Sequence, residues 1–295
     1  MKSVFKILLF CVIFLGVERF CHWQTGGFTL QKIRSIPSCR PIGVSSPLTN
    51  DQLEHVQSIL SQPFSYCGSG NSCYAFQSHD GSYILKVFKQ HHLHPLPWAN
   101  KLPLRSHWRA HLEKKQCKRE RVFLSCIHAF DELRELTGLI YVHLHPTHQI
   151  NQSITLIDRL GIEHHLAADA SDFVLQKKAV LARAHFDQLI EENDLKAAER
   201  SLQSIAELHA KIAERGFKDL DPNIETNVGF IDGKAIKIDV GCLVKDERFC
   251  NERLAQKHVQ KAIQRFKQNL LLHHPELSQD IETRQLQNST TQKNR

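Results

Sequence analysis

The chain has 295 residues, of which 41% are hydrophobic and 23% are charged, a balance typical of a globular protein with a sizeable core. Its formal charge of +7 suits phosphate-bearing or acidic partners. It does not indicate a nucleic-acid surface, because no dense Arg/Lys tract with interleaved aromatic residues occurs. The nine cysteines contain no Cys-x-x-Cys pair, which argues against a structural zinc ribbon.

The N-terminus has the pattern of an export signal. Lys2 and Lys6 precede an apolar run, Ile7 to Val17, which is shorter than the roughly 20 residues that a membrane span needs. The following Glu18-Arg19-Phe20-Cys21 lacks the small-x-small pattern of a cleavage site. Secretion, membrane attachment through residues 4–17 and a cytoplasmic protein with a packed N-terminal helix therefore all stay open. Disulfides and buried free thiols are likewise both open.

The first half of the chain is predicted to be rich in strands. Alternating apolar residues on either side of Asp80-Gly81 predict a hairpin, since Asp-Gly is a strong turn signal. Helical spacing predicts a short helix and a long one. The expected helices are Leu53–Leu60 and about Trp108–Leu136; the expected strands are Tyr74–Gln77, Tyr83–Phe88, Leu139–His143, Ile154–Leu160 and Asp172–Gln176. His164-His165 is interpreted as a turn.

The second half is predicted to be mainly helical. Apolar positions recur at helical spacing from about Asp187 to Glu214, and Gly216 is expected to end that helix. A second hairpin is expected around Asp232-Gly233, and a last helix over about 252–272. The order predicts an α+β protein in two parts. The expected segments are a signal or anchor (1–20), an extension (21–52), a strand-rich domain (53–178), a helical domain (179–275) and a polar tail (276–295).

Two groups of residues carry chemistry. In the first, Gly68 and Gly70 lie in a turn between strands, where backbone N–H groups can approach phosphate oxygens. Lys86 follows on the next strand, and because it lies between Leu85 and Val87 it must either extend to solvent or meet an anion. A plain hairpin turn explains the glycines equally well, so this group alone is weak.

The second group is more specific. A helix that ends at Gly216 leads into a loop with Asp221 and Asn227, and a tight hairpin then delivers Asp239. Amide and carboxylate oxygens brought together in this way suit Mg²⁺, which prefers oxygen ligands and retains waters and substrate phosphates. The loop aspartate is suited to orient or deprotonate a hydroxyl group.

Together these residues resemble the protein-kinase-like superfamily over about residues 53–272, in the right order along the chain. The overall pattern is similar to kinase-like proteins of intracellular bacteria. Asp221 matches the catalytic aspartate, Asn227 the loop asparagine, and Asp239-Val240-Gly241 the Asp-Phe-Gly triplet. The resemblance also matches Lys86 to the phosphate-binding lysine and Gly68 and Gly70 to the glycine-rich loop. It matches Glu120, in the middle of the long helix, to that lysine's carboxylate partner, with Glu113 as the second candidate, and Gln176-Lys177 to the hinge that holds adenine.

The resemblance implies a two-lobed kinase-like fold, with a β-rich N-lobe containing one long helix and a reduced helical C-lobe. It further implies ATP and Mg²⁺ as ligands, with Lys86 on the phosphates, Asn227 and Asp239 on the metal, and Asp221 at the acceptor hydroxyl. The phosphoacceptor, a protein or a small molecule, is unknown.

This sequence also departs from the family pattern. Asp219 and Leu220 stand where the loop's His and Arg are expected, and Asp221 to Asn227 is six positions instead of five. Asp219 therefore competes with Asp221 for the catalytic role. No Ala-Pro-Glu follows Asp239, and the helical platform for protein substrates is missing. Two hypotheses follow: an active phosphotransferase, or a pseudokinase that serves as an exported binding module or effector.

Overall fold

The computed structural model describes residues 2–34, 48–93, 106–250 and 252–274, so the predicted polar tail lies outside the described residues. The chain divides into two compact units, Met1–Lys178 with Val240–Cys242 and Ala179–Asp239 with Leu243–Arg295. The first is rich in strands and the second is largely helical. This confirms the α+β class and is consistent with the expected kinase-like fold.

The first unit is built around a seven-stranded sheet with the strand order β4-β7-β3-β2-β1-β5-β6. All neighbouring strands are antiparallel except β1 and β5, which run parallel. Its strands are β1 (Phe64–Ser69), β2 (Cys73–Ser78), β3 (Tyr83–Phe88), β4 (Leu139–His143), β5 (Ser153–Ile157), β6 (Glu163–Ala167) and β7 (Phe173–Lys177). Its helices are α1 (Lys2–Gln24), α2 (Leu30–Ile33), α3 (Asn50–Leu60), α4 (Gln90–Leu93), α5 (Ser106–Glu132) and α6 (Arg134–Thr137).

The predicted hairpin between β2 and β3 is confirmed. Gly81 adopts a φ of 75°, and the Asp80 carboxylate accepts hydrogen bonds from Ser78 Oγ and the Ser82 N–H. The interpretation of His164-His165 as a turn was wrong, because both lie in β6. There His164 Nε2 lies 2.8 Å from the Asp158 carboxylate.

Helix α5 packs on the sheet through aromatic side chains. Phe123 contacts Phe88 with ring centroids 5.1 Å apart, and Phe130 contacts Tyr141 at 6.5 Å. These buried rings anchor the helix, since burying one such side chain contributes about 1.5–3 kcal/mol. Ser125, on the same helix, donates a 2.5 Å hydrogen bond to the backbone carbonyl of Val240.

The N-terminal residues contain one exposed and one packed part. The apolar side chains of α1 are 48–68% exposed. After that helix, Phe28 is buried and its ring contacts Tyr74, Phe76 and His164 at 5.3–5.4 Å. Among the described residues, no helix combines the length and apolarity needed to cross a membrane.

The second unit contains a helical core and three short strand pairings. Its helices are α7 (Ala182–Glu191), α8 (Leu195–Glu214), α9 (Ile224–Asn227) and α10 (Glu252–His273). Its strands are β8 (Val180–Leu181), β9 (Phe217–Asp219), β10 (Val228–Ile231), β11 (Lys234–Lys237) and β12 (Leu243–Lys245); β10 pairs with β11 and β8, and β9 pairs with β12. Phe186 of α7 contacts Phe230 and Phe266 in the core.

The single helix expected from Asp187 to Glu214 is two helices. Asn193 adopts a left-handed φ of 55°, which breaks the helix, and Asp194 caps the next one by accepting a hydrogen bond from Ala197 N–H. The end of α8 at Gly216, with a φ of 76°, is as predicted. The hairpin of β10 and β11 is also confirmed, with Asp232 and Gly233 both at positive φ, as a type I′ turn requires.

Candidate functional site

The glycine-rich turn of the first unit joins β1 and β2. The Gly70 N–H donates to the Cys73 carbonyl at 2.9 Å and closes the turn, and β1 bulges between Tyr66 and Gly68. Neither Gly68 nor Gly70 has a positive φ. A Cβ atom at Gly68 would meet nothing within 4 Å, and one at Gly70 would make only ordinary contacts at 3.8 and 4.0 Å. Neither backbone conformation nor internal packing therefore requires these glycines.

Lys89, directly after β3, binds this turn through its side chain. Its Nζ donates to Ser69 Oγ at 2.6 Å and to the Gly70 carbonyl at 2.5 Å, and it lies 4.5 Å from the centre of the Tyr74 ring. Its backbone N–H donates to the Ser72 carbonyl. Burial lowers the pKa of Lys89 below its ordinary value.

Lys86 lies on the same face of the sheet as Gly68. In register, Gly68 pairs with Ala75, and Ala75 pairs with Lys86, so the three residues lie side by side across β1, β2 and β3. The small Ala75 side chain leaves room over the sheet between them. Burial raises the pKa of the Cys67 thiol, while Lys178 and Lys86 act in the opposite direction, which places positive charge close to the turn.

The remaining predicted residues of the first unit have other contacts. Glu120 Oε1 accepts a hydrogen bond from Gln116 Nε2 on the same helix, α5. Gln176 is buried and its Nε2 donates to the Thr137 carbonyl. The Lys177 N–H donates to Gly138 O, so an adenine ring held at 176–177 would have to bind other backbone atoms.

In the second unit, the acidic loop runs from the end of β9 to the start of β10. Asp219 is the last residue of β9 and is buried, whereas Asp221 is exposed. The Asp221 N–H donates to Asp219 Oδ1 at 2.9 Å. Short helix α9 then follows, with Asn223 as its N-cap, and returns the chain to the hairpin.

Asn227 connects this loop to the hairpin. Its Nδ2 donates a hydrogen bond to the Asp221 carbonyl at 3.0 Å, and this hydrogen bond fixes which side of the amide carries the nitrogen and which the oxygen. Its backbone carbonyl accepts from Ile238 N–H at 2.9 Å, with the Asp239 N 3.5 Å away. Asn227 Oδ1 accepts one hydrogen bond from Thr226 and keeps a second lone pair. The structure thus brings Asp221, Asn227 and Asp239 into one neighbourhood.

A buried lysine lies beneath the loop. Lys237, the last residue of β11, is 0% exposed, and its Nζ lies 2.6 Å from Asp219 Oδ2. The same Nζ donates to the Asp221 carbonyl at 3.1 Å. Asp219 is therefore one half of a buried ion pair, while Asp221 is exposed.

Two histidines surround this pair. His258 of α10 donates from Nε2 to the Asp219 carbonyl at 3.1 Å. His209 of α8 is 5% exposed, and its Nε2 has no hydrogen-bond partner in the part of the chain that the structure describes. Burial, with Lys237 adding to it, lowers the pKa of His209 to about 4. His209 is therefore neutral at physiological pH.

The donor set fits a magnesium ion better than a transition metal. Asn227 offers an amide oxygen and the exposed Asp239 offers a carboxylate, both hard oxygen ligands. No group of three or more His, Cys, Asp or Glu side chains with metal-site geometry occurs among the described residues. Mg²⁺ needs no such group, because it often binds through one or two protein oxygens and substrate phosphates.

Sequence reasoning missed Lys237, His209 and Lys89. Lys237 follows Ala235-Ile236 in an apolar run, which is the same signal that singled out Lys86. The histidine gave no comparable signal, because a histidine on the apolar face of a helix has no distinctive spacing. Lys89 does not have this signal, because it lies at the edge of the predicted strand and is followed by Gln90.

No family model and no curated protein matches this chain. Among solved structures, it is similar to WbdD crystallised with the kinase inhibitor LY294002, at 16% identity and a TM-score of 0.32 over 65% of this chain and 35% of that one. It is also similar to the complex of Rv3197 with erythromycin from Mycobacterium tuberculosis, at 15% identity and a TM-score of 0.33 over 68% and 54% of the two chains. The chain thus spans about a third to a half of these proteins. At such TM-scores, neither likeness carries a conclusion about this chain.

Proposed function

We propose that this protein binds ATP with Mg²⁺ and transfers a phosphoryl group to a hydroxyl acceptor. The supporting observation is the arrangement around Asn227, which fixes the Asp221 backbone with its side-chain nitrogen and lies beside Asp239 through its backbone carbonyl. One short stretch of chain therefore carries an exposed loop carboxylate, that of Asp221, and two oxygen groups of the kind that Mg²⁺ binds, those of Asn227 and Asp239. This is the set that phosphoryl transfer requires, because its catalysis consists mainly of positioning and charge neutralisation.

In this proposal each residue has one task. Asn227 and Asp239 hold the metal, which supplies positive charge to the phosphates. Lys86 and backbone N–H groups of the glycine-rich turn other than that of Gly70, which donates to the Cys73 carbonyl, bind phosphate oxygens, and a Cβ atom at Gly68 would meet nothing within 4 Å. The loop aspartate orients the acceptor hydroxyl and accepts its proton.

The glycines add an independent argument. Gly68 and Gly70 are not required by the turn itself, since their φ values are negative and a Cβ atom would fit at both positions. A close ligand explains them, because phosphate that contacts backbone N–H groups leaves no room for side chains.

A nucleotide-binding module without transfer activity is the second candidate. The observation in its favour is the departure of the loop from the family pattern, since Asp219 and Leu220 replace its His and Arg and Asp221 to Asn227 is six positions instead of five. The N–H of Lys177 is also used within the fold. Binding and transfer must therefore be measured separately.

The test is a thermal-shift titration of the full chain with ATP in the presence and absence of Mg²⁺, followed by a transfer assay with labelled ATP. The expected result is a Mg²⁺-dependent rise in Tm for the wild type. Asp239→Ala should remain folded but lose the Mg²⁺ dependence and the transfer. Asp232→Asn removes a carboxylate from the same hairpin at a turn position that asparagine tolerates, and it should behave like the wild type.

The outcomes separate the two candidates. A Mg²⁺-dependent shift with labelled product supports the phosphotransferase, and the shift without product supports the binding module. A folded protein that shows no shift with ATP, with or without metal, would refute nucleotide binding. Full transfer activity in Asp239→Ala would refute the metal assignment.

A further inference from the structure

The acidic loop contains two aspartates that compete for one catalytic role, and their surroundings differ sharply. Both oxygens of the Asp219 carboxylate have partners within the protein: Oδ1 accepts a hydrogen bond from the Asp221 N–H, and Oδ2 lies 2.6 Å from Lys237 Nζ in an ion pair. The Asp221 side chain is exposed. A carboxylate that is buried against a lysine cannot approach an acceptor hydroxyl without breaking the ion pair.

The backbone of Asp221 is held from three directions. Asp219 accepts its N–H at 2.9 Å, while Lys237 Nζ and Asn227 Nδ2 both donate to its carbonyl, at 3.1 and 3.0 Å. The N–H and the C=O of Asp221, which belong to the two peptide units on either side of its Cα, are therefore both fixed by side chains. Such clamping determines the direction in which the Asp221 side chain leaves the loop.

We propose that Asp219 and Lys237 form a buried pair of positioning residues that orients Asp221, and that Asp221 alone provides the catalytic carboxylate. This assignment rests on the proposed function. It also names Lys237, which the kinase-like motifs do not include, as a residue that the reaction depends on. His258 adds a hydrogen bond to the Asp219 carbonyl and supports the pair from α10.

The physical reason lies in the cost of burying charges. A buried ion pair is seldom the most stable solution for an interior position, because two apolar residues of similar volume are often as good or better. Specific positioning is an advantage that apolar residues cannot supply, since the carboxylate binds the Asp221 N–H and the lysine binds the Asp221 carbonyl. Replacing the whole pair by apolar residues should therefore preserve folding but reduce the rate.

The decisive experiment compares three variants by phosphoryl-transfer kinetics and by the Mg²⁺·ATP thermal shift. Asp221→Asn should lose about 10³-fold in kcat. Asp219→Asn, made together with Lys237→Met so that no buried charge loses its partner, keeps an acceptor for the Asp221 N–H and should stay within about tenfold of the wild type. The double variant Asp219→Leu/Lys237→Met should fold and bind Mg²⁺·ATP normally but lose about 10²-fold in kcat, as a misplaced catalytic group does. Lys234→Met, at the exposed start of the same strand, is the matched control and should retain full activity.

Two results would overturn the proposal. If Asp219→Asn/Lys237→Met binds Mg²⁺·ATP but is as inactive as Asp221→Asn, Asp219 is itself the catalytic carboxylate. If Asp219→Leu/Lys237→Met turns over at the wild-type rate, the pair is only a structural element. Use of the double variants avoids the misfolding expected when one buried charge loses its partner.

A second measurement is independent of activity. Hydrogen–deuterium exchange of peptides covering residues 219–227 should become faster in Asp219→Leu/Lys237→Met, while exchange in β10 and β11 stays slow. Unchanged exchange in 219–227 would refute the positioning role. Should the wild type show neither transfer nor a Mg²⁺·ATP shift, the proposed function fails, and the exchange result still decides whether the pair holds the loop.

Discussion

Two lysines in this molecule, Lys89 and Lys237, each bind a backbone carbonyl of a loop or turn, but their surroundings differ. In the first unit, Lys89 donates to Ser69 Oγ and the Gly70 carbonyl and so holds the glycine-rich turn. In the second unit, Lys237 donates to the Asp221 carbonyl and holds the acidic loop. Each lysine binds a backbone carbonyl in a segment to which the proposed function gives a role.

The difference lies in the counter-charge. Lys237 is completely buried and pairs with the buried Asp219, whereas the acceptors of Lys89 in the turn are a hydroxyl and a carbonyl. A buried charge that is balanced by one opposite charge has few alternative positions, because separating the two leaves each charge buried without a partner. A lysine bound by neutral acceptors beside an exposed turn can be displaced at a smaller cost. The acidic loop is therefore expected to be the more rigid of the two segments.

The largest expected effect is on folding stability at Lys237. Lys237→Met leaves Asp219 buried without its partner and should lower the free energy of unfolding by about 3–5 kcal/mol. Lys89→Met loses two hydrogen bonds and should cost about 1–2 kcal/mol. Urea denaturation at neutral pH measures both. Equal losses for the two variants would contradict the distinction between them.

A second difference concerns pH. His209 has a pKa lowered to about 4 by burial and by Lys237, with Asp219 opposing and His258 adding to the effect. Below about pH 6.5 the histidine is protonated in the unfolded chain but stays neutral in the folded protein. The free energy of unfolding therefore decreases as the pH falls from about 6.5 to about 4, where the folded protein also binds the proton. The loss should reach about 3 kcal/mol.

The measurement is the free energy of unfolding of the wild type and His209→Leu between pH 7 and 4. The difference between the two proteins isolates the histidine from other acid-titrating groups. His55→Leu, at an exposed position of α3, controls for removing a histidine. A wild-type curve parallel to that of His209→Leu over this range would contradict the assignment.

The two segments also differ in how tightly their glycines are packed. A Cβ atom at Gly229, on the strand that leaves the acidic loop, would lie 2.7 Å from Ala179 Cβ and 3.0 Å from the Val180 carbonyl. Gly229→Ala should therefore cost about 1–3 kcal/mol through overpacking. Gly70→Ala should change stability by less than about 0.5 kcal/mol. Its effect should appear instead as a weaker thermal shift with ATP, and an unchanged shift would argue against phosphate at this turn.

Much of the local structure could be predicted from the sequence, and the failures have physical reasons. Asp-Gly at 80–81 and 232–233 predicted both hairpins, because few residues adopt the positive φ that such turns need. The break between α7 and α8 was missed, since the apolar spacing continues across Asn193. Strand β6 was missed because Glu163-His164-His165 is an exposed, polar edge without apolar alternation.

The candidate site was predicted less completely. Asp221, Asn227 and Asp239 were found because they fall within one short, ordered stretch. The role of Lys237 depends on Asp219, 18 positions earlier in the sequence, and only the pairing of tertiary elements brings the two together. A lysine within an apolar run signals that an anion is needed, but one sequence does not tell whether the anion is a ligand or a neighbouring carboxylate. That is why Lys86 and Lys237 gave the same signal.

The smallest expected effect is on the motion of the glycine-rich turn. Lys89→Met keeps the length of the side chain but removes both hydrogen bonds to Ser69 and Gly70. Amide exchange in peptides covering 69–73 should then become faster by several-fold, with little change elsewhere in the sheet.

Arg134→Met is the control for this prediction, since Arg134 Nε also donates to a backbone carbonyl of the first unit, that of Leu139, at 3.2 Å. It removes the same type of hydrogen bond at another place, so exchange at 69–73 should not change. If both variants accelerate exchange of the turn equally, the effect is a general loss of stability. A change confined to Lys89→Met means that the turn is ordered before any ligand arrives, and nucleotide binding then does not have to supply that ordering.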